Sequence, residues 1–206
     1  MVRPIYVIAG AGVLTGLMVF LNRKINVKGK RIAVIGDSHS AGFGWGWQDK
    51  LSWKYNFELN NLSKGGQSTP WMKATLEDYY KKGNKPDVVF IYGGANDSFG
   101  NANLQDVVDR IQAMADLVRD NGGTPVVIAG FDYQKAVQPN VSSKYIFGIN
   151  RYRELQKMIE NQIRKAEVVP TWSEVDAKSV GGDGFHLPET IQSKFANYVA
   201  NKVLKS

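Results

Sequence analysis

At 206 residues, 43% hydrophobic and 22% charged, the chain is long enough for one domain with a sizeable core. Its formal charge of +7 is unevenly placed: residues 1–31 carry six Lys/Arg and no acid, leaving 20 basic against 19 acidic groups in the remainder. That balance excludes nucleic-acid binding as the reason for the charge, and the absence of cysteine excludes disulfides and thiol chemistry. With His39 and His186 as the only histidines, no multi-histidine metal centre is expected, and no cofactor.

The chain opens with 18 uncharged residues, Pro4 to Leu21, between Arg3 and the pair Arg23 and Lys24, just enough to span a bilayer as a helix. A cleaved signal would end in small residues, whereas Phe20, Leu21 and Asn22 stand here, so residues 1–22 are read as an uncleaved membrane anchor. Gly12 and Gly16 form a G-x-x-x-G pair through which two such helices could self-associate. Residues 23–30 come next as a basic linker suited to anionic headgroups. The bias of basic residues after the segment nominally puts the globular domain on the cytoplasmic side, a weak rule before a long domain, so both orientations stay open.

From residue 31 onward, short β-branched runs alternate with helical patterns. Strands are predicted at Arg31–Ile35, Phe57–Leu62, Asp87–Tyr92, Thr124–Gly130 and Glu167–Val169. Helices are predicted at Trp71–Lys82, Leu104–Asn121, Lys144–Lys165 and Pro188–Leu204. Such alternation implies a mainly parallel sheet with helices on both faces, and in sheets of this type ligands sit beyond the carboxyl ends of the strands. Small and polar residues cluster where those ends fall: Gly36-Asp37-Ser38, Gly65-Gly66, and Gly93-Gly94-Ala95-Asn96-Asp97. The irregular stretch Asp132–Ser143 after the fourth strand is a candidate rim loop.

Acyl transfer needs a hydroxyl nucleophile, a base, a group that orients the base, and donors aimed at the developing oxyanion. Ser38 sits in a small-residue turn that would expose its hydroxyl, although Asp and Ser are also ordinary helix caps. Asp183 stands three residues before His186, a spacing that lets a carboxylate reach round a turn to Nδ1 while Nε2 faces outward. A turn aspartate beside a capping histidine would look the same. Gly66 could bring a backbone N–H to a substrate oxygen, and Asn96 offers an amide donor that is neutral at every pH.

Taken in order, Gly36-Asp37-Ser38 with Gly42, then Gly66, then Gly94-x-Asn96-Asp97, then Asp183-x-x-His186 resemble the four blocks of the SGNH (GDSL-type) hydrolases across residues 31–206. The resemblance implies a flavodoxin-like three-layer α/β/α sandwich with a mainly parallel five-stranded sheet. It implies a serine esterase in which Ser38 is the nucleophile, His186 the base and Asp183 its orienting acid. The Ser38 and Gly66 N–H groups with the Asn96 amide would form the oxyanion hole. His39 departs from the apolar residue usual after the nucleophile, and is expected to be a neighbour or substrate contact with Tyr133 and Gln134. Aromatic residues near the expected rim (Trp45, Trp47, Trp71, Trp172) favour an O-acetylated cell-envelope carbohydrate as substrate. The rivals are a lysophospholipase or thioesterase at the membrane, and a non-catalytic binding or structural module on the same fold.

Overall fold

The computed structural model describes residues 24–42, 44–133, 143–175 and 186–205. The apolar segment with Gly12 and Gly16, the rim residue Gln134 and the acid Asp183 lie outside them. Among the described residues no helix is long and apolar enough to cross a membrane.

Five strands form one sheet: β1 (Arg31–Gly36), β2 (Glu58–Asn61), β3 (Val88–Tyr92), β4 (Thr124–Ile128) and β5 (Glu167–Val169). All pairings are parallel, in the order β2-β1-β3-β4-β5. β3 is buried at every position, as expected of a parallel strand covered on both faces. The edge strand β2 alternates exposed and half-buried residues instead. Among the described residues six helices accompany the sheet: α1 (Trp47–Tyr55), α2 (Thr69–Lys81), α3 (Ala95–Phe99), α4 (Leu104–Asp120), α5 (Ser143–Gln162) and α6 (Glu189–Val203). The result is a three-layer α/β sandwich on a five-stranded parallel sheet.

The long helices form for reasons visible in their sequences. α4 buries Val107, Val108, Ile111, Met114, Ala115 and Val118 along one face, and the Asn103 side chain caps it by accepting from the Gln105 N–H. α6 likewise buries Phe195, Ala196, Val199 and Val203 along one face. α1 escapes prediction because its run WQDKLSWKY carries no apolar stripe; tertiary contacts hold it. Trp47 is fully buried between Phe90, Tyr92 and Phe195, and its backbone N–H donates to Gln192 Oε1 at 3.2 Å.

The folded unit also begins earlier than residue 31. Ile25 bridges to Leu204, with Ile25 N donating to Val203 O and Lys205 N to Ile25 O, and Val27 is buried. Part of the stretch read as a linker therefore packs against the end of α6.

Candidate active site

The order β2-β1-β3-β4-β5 reverses direction between β1 and β3, the point at which an open parallel sheet leaves a crevice beyond its strand ends. Register brings the motifs together there. Gly36 pairs with Tyr92, so the turn holding Ser38 lies beside the turn holding Asn96. On the other side, Leu62 N donates to Val34 O and Lys64 N to Gly36 O, carrying the chain along β1 until Gly65 lies against Ser38. A Cβ at Gly65 would stand 3.8 Å from that of Ser38.

Two glycines at the crevice are compelled by geometry. A Cβ at Gly36 would fall 2.3 Å from the Tyr92 carbonyl oxygen, so β1 and β3 approach there more closely than any side chain permits. Gly66 has φ +75°, a conformation that L-residues with a Cβ adopt at a cost, and its Cβ direction is open. Conformation, more than the steric clearance expected from the sequence, is what requires glycine at 66.

Ser38 Oγ lies 2.8 Å from His186 Nε2, although the residues are 148 positions apart. A neutral imidazole protonated on Nδ1 would accept the hydroxyl proton through this contact. His186 is presented just before α6, where buried Gln192 donates to Leu187 O at 2.9 Å and accepts from Trp47 N. One side chain thus joins the histidine's loop to the start of α1. From α1, Gln48 Nε2 donates to the carbonyls of Ser40 and Gly42, bracing the turn that comes after the serine.

Asp37 is fully buried, and its Oδ1 accepts from the His39 N–H at 3.0 Å, so it ties the turn together. Burial pushes its carboxyl up to about 7, against the lowering effect of the His39 N–H and the nearby His186. Burial also raises the Tyr92 and Tyr152 hydroxyls beneath it.

Asn96 donates through Nδ2 to Gln67 O at 2.9 Å, which fixes the plane of the amide and commits one of its two N–H groups. The next residue, Asp97, has its side chain 2% exposed and reaches across to the start of α2. It accepts from Thr69 N at 2.9 Å and from Thr69 Oγ1 at 2.7 Å. Arg110 of α4 closes the group, with Nε donating to Thr69 Oγ1 at 2.9 Å and Nη2 lying 3.7 Å from Asp97 Oδ1. Thr69, Asp97 and Arg110 thereby clamp the loop that supplies both Gly66 and the Gln67 carbonyl.

Of the residues expected to meet substrate, His39 and Tyr133 are 6% and 1% exposed, and they pack behind the serine instead of at a rim. The His39 ring stands among Tyr92, Phe131 and Tyr133, in hydrogen-bond contact with the Tyr133 hydroxyl. Its centroid lies 5.0 Å from that of His186. Trp47 and Trp172 are likewise core residues, whereas Trp45 is 43% exposed beside Gly42 and Trp71 is half-buried at the start of α2.

Gln67, Thr69 and Arg110 escape a reading of the sequence, since they meet only through long-range contacts. Gln192 does leave a signal: it is a polar residue on the stripe Gln192, Phe195, Ala196, Val199 that is otherwise apolar. Gln156 does the same on α5, donating to the carbonyls of Ala129 and Phe131 in the segment just after β4.

The sequence profile of the GDSL-like lipase/acylhydrolase family matches residues 34–190. No curated protein sequence matches the chain. Among solved structures, TesA superposes with a TM-score of 0.63 at 23% identity, covering 83% of this chain and 96% of TesA. A psychrotrophic esterase, EstA from Pseudoalteromonas sp., gives 0.59 at 16%, covering 83% and 94%. A mutant of Axe2, an acetylxylan esterase from Geobacillus stearothermophilus, gives 0.68 at 15%, covering 89% and 99%.

Proposed function

The chain belongs to the GDSL-like lipase/acylhydrolase family and is a carboxylic ester hydrolase, and on that premise we propose that it removes short acyl groups, acetyl above all, from a cell-envelope carbohydrate. The observation that carries the mechanism is the 2.8 Å contact between Ser38 Oγ and His186 Nε2. Ser38 attacks the ester carbonyl carbon while His186 takes the hydroxyl proton. The tetrahedral oxyanion is held by the N–H groups of Ser38 and Gly66 and by the second N–H of the Asn96 amide. Collapse expels the sugar hydroxyl, which receives the proton from His186, and leaves an acyl-serine. Water, deprotonated by His186, then releases the carboxylic acid and restores the serine. Asp183 orients the imidazole in this scheme, on the strength of its three-residue spacing from His186.

Exposed Trp45 next to the nucleophile's turn and Trp71 at the start of α2 support a carbohydrate substrate, because flat rings stack on sugar faces. The Axe2 likeness agrees with this, since that protein acts on acetylated xylan. Residues 1–22 serve as a single-pass anchor in this proposal. The same anchor favours a second reading, a lysophospholipase or thioesterase acting on lipid acyl esters.

Initial rates on p-nitrophenyl acetate and octanoate, followed by acetate release from an O-acetylated glycan, separate the readings. A preference for acetate, with Ser38→Ala and His186→Ala inert and folded, is the expected result. A preference for octanoate would overturn the carbohydrate assignment. A wild-type rate no higher than that of Ser38→Ala would overturn the catalytic one and leave a binding module.

A further inference from the structure

The near-neutral total of the globular part conceals a strong polarity. In a parallel α/β fold, the strands begin and the helices end on one side of the sheet. The segments that form this side are 24–31, 54–58, 78–87, 119–124, 162–167 and 202–205. Together they hold thirteen Lys/Arg against five Asp/Glu, while the rest of residues 24–206 holds eleven against fourteen. Twelve of the thirteen are exposed. Cations at helix C-termini are common because they complement the helix dipole, and that accounts for Lys54, Lys81 and Lys202. It does not account for Lys24, Lys28, Lys30 and Lys85, which lie in loops.

Two further observations single out an occupant. Lys28, Lys54 and Lys205, from three remote parts of the chain, surround a depression of about 540 Å³ floored by Val27 and Tyr55. None of the three enters an ion pair among the described residues. The chain also enters the fold at this same place. Ile25 is pinned to Leu204 beside the depression, and the uncharged stretch Pro4–Leu21 ends only four residues earlier. A basic surface at the exit of an apolar segment faces the headgroups of whatever bilayer that segment enters.

We propose that this lysine-rich end rests on an anionic lipid surface, with phosphate headgroups in the depression among Lys28, Lys54 and Lys205, and so turns Ser38 away from the bilayer. The inference rests on the anchored-esterase reading and deepens it. The six residues of β1 alone put about 20 Å between the basic end and the serine's turn. An acyl chain embedded in the bilayer does not reach a site held so far out, whereas a polymer or a diffusing ester does. The orientation therefore selects substrates outside the membrane plane.

The chain contains no cysteine, so single cysteines report position cleanly. Asn201 and Thr190 lie exposed at opposite ends of α6, eleven residues or about 16 Å apart along the helix. The full chain, carrying a fluorophore at Asn201→Cys or at Thr190→Cys, is reconstituted with phosphatidylcholine vesicles bearing a headgroup quencher, with and without phosphatidylglycerol. The expected result is several-fold stronger quenching at Asn201 than at Thr190 when phosphatidylglycerol is present. That difference should collapse in molar salt and in the triple variant Lys28→Glu, Lys54→Glu, Lys205→Glu. Equal quenching at the two positions, a difference that survives the triple variant, or a chain that stays with neither vesicle would each overturn the proposal. So would loss of the quenching to a short DNA duplex added at equal phosphate, which would assign the face to nucleic acid. Hydrolysis of p-nitrophenyl acetate by the same samples is expected to be unchanged. Failure of docking with turnover intact refutes only the orientation; docking without turnover refutes only the esterase reading.

Discussion

Replacing Asp97 by Asn keeps the shape of the clamp beside the oxyanion donor while removing its charge, and so measures what the clamp does for catalysis. The carboxylate receives two hydrogen bonds from Thr69, at 2.9 and 2.7 Å, and faces the Arg110 guanidinium at 3.7 Å. An amide has one oxygen, so one of these donors must face its NH2 group. Loss of one charge-assisted hydrogen bond costs about 1.5–3 kcal/mol, and leaving Arg110 partly uncompensated raises the total to about 3 kcal/mol. For a domain of this size that lowers Tm by about 6–12 °C. The kinetic effect comes through Gln67, two residues before Thr69, whose carbonyl fixes the Asn96 amide. Full removal of an oxyanion donor costs about 10²–10³ in kcat; loosening one by this route should cost about tenfold, with KM little changed because the contact matters most in the transition state. Thermal melts and initial rates on p-nitrophenyl acetate measure both quantities. Thr69→Ser, which keeps both donors, is the control and should match wild type. If Asp97→Asn melted within about 2 °C of wild type, well short of the loss expected from the broken contacts, or if Thr69→Ser were as damaged as Asp97→Asn, the clamp would not act as described.

Asp37 gives a pH signature. Its folded-state value of about 7 lies above the ordinary 3.8, so the folded chain binds this proton more tightly than the unfolded one. The stability it contributes is present at acid pH and lost as pH rises from about 4 through 7, by at most about 4 kcal/mol. Asp37→Asn should therefore gain on wild type in urea midpoint between about pH 5 and pH 8; parallel profiles would contradict the assignment. Gly36→Ala drives a Cβ to 2.3 Å from the Tyr92 oxygen, where only backbone can yield. A loss of about 3 kcal/mol is expected in denaturant titration, with activity falling in the remaining folded protein because Ser38 lies two residues on. Tyr133→Phe removes the hydroxyl that contacts His39 and should cost about 1 kcal/mol, with kcat within about tenfold of wild type. Abolition of turnover by that change would instead make the His39–Tyr133 pair part of the proton path.

Where the chemistry sits is legible because the parallel α/β pattern and the small-residue turns are local properties. Strand runs such as Arg31–Ile35 and Glu167–Val169, and the stripe on α4, announce themselves by periodicity and composition alone. The turns at Gly36-Asp37-Ser38 and Gly94-x-Asn96-Asp97 fall at the ends of such runs, and in a parallel sheet those ends all lie on one side. α1 goes unseen because Trp47 and Gln48 are held by partners from other elements, which no local window contains.

The alternation of strand and helix, the residue types at the strand ends and the apolar character of the first segment can be read from the chain alone, since each depends on neighbours within a turn or two. Three-dimensional folding settles that Ser38 and His186 meet, that His39 and Tyr133 face inward behind them, and that Arg110 secures the loop of Gly66 and Gln67 through Thr69. It also gathers lysines scattered from residue 24 to 205 at one end of the sheet. Contacts and surface charge of that kind depend on which distant segments fold together, and composition or spacing along the chain does not encode them.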